Sequence, residues 1–226
     1  MSERQPRSLK ALLFDLDGTL LDTAPDLVAS VNHVRAEIFS LPPITAEQLR
    51  PVVGKGSAAM LKLATPLSEA GTELKRCQAL MLDYYAANLI NETKPFPGIS
   101  QLLDYLDETD GIRWGIVTNK PSRFTLPILH GLCLSERAAC VVCADMVEAP
   151  KPAPDALLFA ANALQLPTES CAYLGDANSD MEAAQSAQMC AIAAEWGYIE
   201  SSEKLDDWPF EARFSTPKQV LQWIAN

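Results

Sequence analysis

Apolar residues follow two different spacings along this chain. Between 22 and 94 they recur every three or four residues, the spacing of one face of an α-helix. From 95 onward, short apolar runs alternate with helix-like segments, which is typical of the βαβ units of a parallel sheet. An earlier run, Ala11–Phe14, stops at a turn signal and predicts a strand buried on both faces. The pattern therefore predicts an α/β fold with a Rossmann-like parallel sheet and a helical insertion after its first strand.

The insertion carries helical signals of its own. One apolar stripe comprises Leu27, Val31, Val34 and Ile38, and a second comprises Leu74, Cys77, Met81 and Tyr84. Thr23 with Asp26, and Thr45 with Gln48, match the pattern of a helix-capping box. We predict a core domain from 1–21 and 95–226, a helical cap domain from 22–94, and hinges at 20–23 and 93–98. Later strands are predicted at 113–117, 139–143 and 172–175, and later helices at 99–106, 122–132, 154–166, 179–187 and 218–224.

Candidate chemistry begins directly after the first predicted strand, with Asp15-Leu16-Asp17-Gly18-Thr19. In open parallel sheets ligands bind beyond the carboxyl ends of the strands, so both carboxylates fall where a site is expected. An ordinary turn is an alternative, because Asp and Gly both favour turns. A calcium loop fits less well, since an EF-hand has its glycine at the sixth position whereas Gly18 is fourth counting from Asp15.

Polar side chains follow the three later strands in the same way. They are Thr118, Asn119 and Lys120 after the first, Lys151 in the loop after the second, and Asp176 and Asp180 after the third. Carboxylates suit magnesium, which prefers oxygen ligands and often bridges substrate phosphates. Lysine suits phosphate oxygens, and an aspartate can serve as a nucleophile that becomes an aspartyl-phosphate. Together these residue types indicate phosphoryl transfer.

These motifs resemble the haloacid dehalogenase superfamily of phosphatases along essentially the whole chain. The matching residues are Asp15-x-Asp17-Gly18-Thr19, Thr118, Lys151 and Gly175-Asp176-x-x-x-Asp180. The segments 22–27 and 117–121 look like the phosphoglycolate phosphatase branch. Segments 114–124, 141–145 and 196–199, with Trp208 downstream, look closer still to bacterial N-acetylmuramic acid 6-phosphate phosphatases.

The resemblance implies a role for each matching residue. Asp15 would be the nucleophile, and Asp17 the general acid and then the base that activates water. Thr118, Asn119 and Lys151 would hold the phosphoryl group. Magnesium would be bound by Asp15, the backbone carbonyl of Asp17, and Asp176, with Asp180 supporting the site.

Composition narrows the function further. The net charge of −11 counts against nucleic acid or an anionic membrane as a partner. Magnesium and Lys151 would therefore have to attract an anionic substrate against the overall field. Two histidines in 226 residues argue against a histidine-rich metal site or a Ser-His-Asp triad. The polar start, Met1 to Lys10, lacks a signal-peptide core, and no apolar stretch approaches the roughly 18 residues of a membrane span, so we expect a cytoplasmic protein.

We expect an enzyme that hydrolyses a small phosphomonoester, either N-acetylmuramic acid 6-phosphate or 2-phosphoglycolate. Both carry a carboxylate, which Lys55, Lys120 or Arg123 could bind; alternatively, Lys55 and Arg123 are solvated surface cations. A hydrolytic dehalogenase would not need Asp17 or the magnesium carboxylates. Two competing functions on this fold are those of a sugar phosphomutase and of a non-enzymatic regulatory protein. The expected partner is a small phosphorylated metabolite, and the expected state is a monomer or homodimer.

Overall fold

The computed structural model describes residues 9–67, 71–200 and 204–226; the polar start considered above lies mostly outside these ranges. Within them, six parallel strands form the main sheet, in the order β5-β4-β1-β6-β7-β8, and two short strands form an antiparallel pair. The eight strands are β1 (Ala11–Phe14), β2 (Leu21–Asp22), β3 (Lys94–Pro95), β4 (Arg113–Thr118), β5 (Val141–Cys143), β6 (Cys171–Gly175), β7 (Cys190–Ala194) and β8 (Ala212–Phe214). The predicted α/β fold with a parallel sheet is confirmed.

Helices cover both faces of this sheet. The α-helices of the described ranges are α1 (Ala24–Phe39), α2 (Ala46–Val53), α3 (Gly56–Ala64), α4 (Thr72–Ala87), α5 (Ile99–Glu108), α6 (Ser122–Gly131), α7 (Asp155–Leu164), α8 (Asn178–Ser186) and α9 (Pro217–Ala225). Because side chains alternate along a strand, Leu12 and Phe14 of β1 join the core with α5, α6 and α9. Ala11 and Leu13 join the core with α7 and α8. Burial on both faces explains why β1 is apolar at every position.

The first four helices form the predicted insertion. They lie between β2 and β3, which pair with each other, so the chain leaves and re-enters the sheet region at adjacent points. Helix α1 packs against the other three, and Leu49, Leu61 and Met81 are fully buried among them. The division into a core and a cap domain at 22 and 94 stays a prediction. None of the helices in the described ranges combines the length and the apolar character needed to cross a membrane.

Several local predictions need correction. Thr45 and Gln48 form the expected capping box, but Thr23 makes no side-chain cap, because its hydroxyl bonds Asp17 instead. The apolar stripe of α4 ends at the buried Tyr85 rather than at Tyr84. The ring of Tyr84 stacks on His33 instead. The strand predicted at 139–143 begins only at Val141, and the sequence pattern did not predict β7, β8 or the β2–β3 pair.

Candidate active site

The carboxyl end of β1 places Asp15 at the centre of the sheet edge. The backbone N–H of Asp15 still bonds Leu174 of β6, 2.8 Å away, and the chain then turns at Gly18, whose φ is +89°. A side chain at Gly18 would be strained by that φ. Its Cβ would also lie 2.1 Å from a carboxylate oxygen of Asp176. Glycine is therefore required where the β1 turn approaches the carboxylate after β6.

Three carboxylates converge at this edge. Asp15, Asp176 and Asp180 each place one oxygen within 4.8 Å of the others, and all three are buried. Asp176 accepts hydrogen bonds from the hydroxyl of Thr19 (2.9 Å) and from the backbone N–H of Tyr198 (2.7 Å). Two fixed donors therefore set its orientation.

The crowding of these carboxylates disfavours their charged forms. Burial and, to a smaller extent, the neighbouring Asp180 together raise the pKa of Asp15 to about 6, against the opposing effect of Lys151. Burial, followed by Asp15 and Asp180, raises the pKa of Asp176 well above its ordinary range. A hard divalent cation bound to these oxygens would offset the repulsion, so the donor set fits a metal ion of the magnesium type.

The ammonium of Lys151 lies against two of the three carboxylates. Its Nζ donates to Asp15 (2.8 Å), to Asp180 (2.6 Å) and to the hydroxyl of Tyr173 (2.6 Å). Burial alone would lower the pKa of Lys151, but the attraction of Asp15 and Asp180 outweighs burial and raises it. Lys151 is therefore held as a cation beside this group of carboxylates.

Asn119 fixes the loop that carries Lys151. Its side-chain amide donates to the carbonyl of Lys151 and accepts from the N–H of Lys151, both at 3.0 Å. Thr118, at the end of β4, is buried, and its hydroxyl accepts from the N–H of Lys120 at 3.1 Å. The motif resemblance suggests phosphate binding for Asn119, but its side chain is occupied with this loop. Thr118 and Lys151 line the same cavity.

Asp17 has partners that the sequence did not reveal. Both of its oxygens accept from the Nζ of Lys120 at 3.0 Å, and one accepts from the hydroxyl of Thr23 at 2.6 Å. The same Nζ lies 4.7 Å from the ring centroid of Tyr85, on α4. Lys120 lines the cavity, but this buried lysine already pairs with Asp17, so binding of a substrate carboxylate by Lys120 would compete with that pair.

A cavity of about 640 Å³ joins this edge to the helical insertion. Its walls include Asp15, Asp17, Thr118, Lys151 and Asp176 from the sheet edge and Leu27, Val53, Met60, Leu82 and Tyr85 from the insertion. Lys55 and Arg123 also line it. Lys55 bonds Glu200, whereas the guanidinium of Arg123 lies 4.5 Å from the ring centroid of Phe124. The described structure thus places every predicted site residue around one cavity.

Two further polar residues at this edge were not predicted. Tyr173 lies inside β6, and its hydroxyl donates to the carbonyl of Val117 while accepting from Lys151. Its position offered a usable signal, because a tyrosine in a strand buried on both faces needs a partner for its hydroxyl. Tyr198 lies in the loop after β7, in the segment 196–199 that carries part of the family resemblance, but no role was predicted for its side chain.

A parallel sheet with three buried carboxylates, a buried lysine and a potential metal site at its carboxyl edge defines a Rossmann-like α/β enzyme. The chain belongs to the haloacid dehalogenase-like hydrolases, whose family model matches residues 12–194. The resemblance seen in the sequence is confirmed, and so is the expectation of a hydrolase.

Individual relatives carry two different names. The chain is 36% identical to an N-acetylmuramic acid 6-phosphate phosphatase of Pseudomonas aeruginosa, over 94% of this chain and 93% of the relative. It is 39% identical to a phosphoglycolate phosphatase of Xanthomonas campestris pv. campestris, over 94% and 95%. A structure from Haemophilus somnus, described as that of a predicted phosphoglycolate phosphatase, superposes with a TM-score of 0.84 at 23% identity, over 96% of this chain and 98% of that one. That structural likeness shows the fold alone.

Proposed function

We propose that this chain is a magnesium-dependent phosphatase that transfers the phosphoryl group of a small monoester to Asp15 and then to water. The observation that carries the proposal is the convergence of Asp15, Asp176 and Asp180 beside the ammonium of Lys151. Asp15, the carbonyl of Asp17, and Asp176 would hold magnesium, which when bound neutralises charge on the phosphoryl oxygens. The phosphatase names of the relatives support the hydrolysis of a phosphomonoester.

The residues of the chain divide the reaction between them. A carboxylate oxygen of Asp15 attacks phosphorus, the bond from phosphorus to the ester oxygen breaks, and the leaving oxygen takes a proton from Asp17. Water then attacks the phosphorus of the aspartyl-phosphate, Asp17 takes a proton from that water, and Asp15 is released. Thr118 and Lys151 would hold the phosphoryl oxygens throughout.

The pair between Asp17 and Lys120 places a condition on this scheme. Lys120 and Thr23 both donate hydrogen bonds to Asp17, whose carboxylate would accept a proton from the attacking water. To protonate the leaving oxygen, Asp17 must first gain a proton, so its contact with Lys120 has to loosen. A shift of the insertion, which includes Thr23 and Tyr85, would change the surroundings of this pair.

The cavity favours the larger of the two candidate substrates. Its volume of about 640 Å³ lies within the roughly 300–1,000 Å³ of sites that enclose drug-sized ligands. A phosphorylated amino sugar would fill much of that space, whereas 2-phosphoglycolate would leave most of it to water. Arg123 offers a planar cation for a substrate carboxylate. We therefore propose N-acetylmuramic acid 6-phosphate as the substrate, with peptidoglycan recycling as the setting.

A phosphate-release screen tests the proposal. Wild-type protein and Asp15→Asn are each incubated with N-acetylmuramic acid 6-phosphate, 2-phosphoglycolate and hexose phosphates, with magnesium and with chelator. We expect release only from wild type with magnesium, and the highest kcat/KM with the muramic acid phosphate. Release by Asp15→Asn at the wild-type rate would refute the nucleophile. Isomerisation of a hexose phosphate without release would indicate a mutase instead.

A further inference from the structure

The loop after β7 connects the carboxylate cluster with the start of the helical insertion. We call residues 195–200 the bridging loop. Its sequence Trp196-Gly197-Tyr198-Ile199 belongs to the family resemblance, yet it supplies no residue to the reaction proposed above. Its contacts on the two sides suggest what it does.

On one side the bridging loop packs against Asp176. The N–H of Tyr198 donates to Asp176 at 2.7 Å, and a Cβ at Gly197 would lie 2.1 Å from the Cβ of Asp176. The loop backbone therefore lies directly against this carboxylate, and only glycine allows that approach. The indole N–H of Trp196 donates to the carbonyl of Thr19 at 3.0 Å, and Thr19 in turn bonds Asp176.

On the other side the hydroxyl of Tyr198 bonds the start of the insertion. It donates to Asp22, the last residue of β2, at 2.7 Å, and accepts from the N–H of Ala24, the first residue of α1, at 2.9 Å. These residues belong to the first predicted hinge or adjoin it. Tyr198 is only 7% exposed, so both bonds are shielded from water and each is harder to replace by hydration.

The ring of Tyr198 also lies near the second connection of the insertion and near one of its helices. Its centroid lies 6.1 Å from that of Phe96, next to β3, where the chain re-enters the sheet region. The guanidinium of Arg50, on α2, lies 5.6 Å from the same ring and pairs with Asp22 at 2.5 Å. A single side chain therefore bonds one connection of the insertion and lies near the other connection and one of its helices.

We propose that Tyr198 is a positioning residue that fixes the start of the helical insertion relative to Asp176. Its backbone orients the carboxylate, and its hydroxyl holds the hinge, so the wall that surrounds the organic part of the substrate keeps a defined position over the phosphate site. The inference rests on the proposed function for the role of Asp176. The contacts themselves do not depend on that function.

The substitution Tyr198→Phe tests this role, because it removes the hydroxyl and retains the ring and the backbone N–H. The matched control is Tyr105→Phe, the same change on α5, away from the cavity. Hydrogen–deuterium exchange in chelator should become roughly tenfold faster at the start of α1 in Tyr198→Phe and stay at the wild-type rate in β6. In magnesium, kcat/KM of Tyr198→Phe for the muramic acid phosphate should fall roughly tenfold, mainly through a higher KM. Its kcat/KM for 4-nitrophenyl phosphate should change less than about twofold.

Each contrary result overturns the inference. Unchanged exchange at α1 would show that the hydroxyl does not hold the hinge. A uniform rise that includes β6 would reduce Tyr198 to a contributor to global stability, and equal losses on both substrates would place its effect at the phosphate site. If Tyr198→Phe does not fold, Asp22→Ala, which removes the acceptor of the hydroxyl, is judged by the same criteria. Hydrogen–deuterium exchange is measured without turnover, so it tests the role of Tyr198 even if the proposed function is wrong. Failure of the proposed function would appear instead as absence of phosphate release by the wild-type protein.

Discussion

Replacing the proposed nucleophile should make the metal-free protein more stable while it removes turnover. Asp15 is buried, and burial raises its pKa from 3.8 to about 6. Above pH 6 its charged form therefore opposes folding, even with Lys151 beside it. Asparagine has nearly the same shape as a protonated aspartic acid and carries no charge. Asp15→Asn should consequently relieve an unfavourable charge that the reaction requires.

The size of the effect follows from the two pKa values. A difference from 3.8 to about 6, at roughly 1.4 kcal/mol for each pKa unit, gives about 3 kcal/mol as an upper limit above pH 7. The folded pKa of this carboxyl is raised, so its contribution to stability is fully present below pH 3.8 and is lost as the pH rises through about 6. The advantage of Asp15→Asn should therefore be small near pH 4 and reach its full size above pH 7.

Urea denaturation in chelator at about pH 4, 5, 6 and 7.5 measures this difference. The matched control is Asp83→Asn, which makes the same change at an exposed position on α4 and should alter stability little. Magnesium should then stabilise wild type more than Asp15→Asn, because the substitution removes a proposed ligand carboxylate. At a magnesium concentration of roughly 100 times its Kd, binding raises the free energy of unfolding by about 2.7 kcal/mol. If Asp15→Asn is no more stable than wild type in chelator at the highest pH, the reasoning about the buried charge is wrong.

Phosphate release should require magnesium and stop with excess chelator. Calcium should inhibit it, because the larger coordination shell of calcium would disturb in-line attack. Full activity after verified metal removal would contradict the metal site. Asp17→Asn should lower kcat/KM about 10²–10⁴-fold on alkyl phosphates. The loss should be smaller on 4-nitrophenyl phosphate, because its leaving group needs little protonation. Equal losses on the two kinds of substrate would exclude the role of Asp17 as an acid. Arg123→Ala should lower kcat/KM roughly 10- to 150-fold on carboxylate-bearing substrates alone. Lys55→Ala should lower it less, because Lys55 already bonds Glu200. Parallel losses on 4-nitrophenyl phosphate would argue against carboxylate recognition.

Much of the architecture could be predicted because β1, β4 and β6 are apolar runs that stop at polar residues. Parallel strands bring their carboxyl ends to one edge, so the neighbourhood of Asp15, Lys151 and Asp176 follows from topology. The strands β7 and β8 could not be predicted in this way, for a local reason. Most of β7 is alanine, which is depleted in strands, and β8 has only three residues, of which the central one is the exposed Arg213.

Pairings between distant residues could not be predicted from the pattern either. Lys120 and Asp17 are 103 positions apart, and Tyr198 and Asp22 are 176 apart. The pattern specifies the type of each residue and the strand end at which it lies, but many lysines and tyrosines could reach the same edge. Which of them pair depends on side-chain directions that only the packed structure defines.

The failed capping box shows why local rules break down near the site. Thr23 and Asp26 have the spacing of a box, yet Thr23 bonds Asp17, and Asp26 accepts from the backbone N–H groups of Glu92 and Thr93. Both side chains thus leave the helix end in favour of partners at the sheet edge and at the second hinge. Such exchanges of local for long-range bonds are expected where a sequence serves function as well as folding. The first turn of α1 is therefore better understood as the joint between insertion and sheet than as an ordinary helix start.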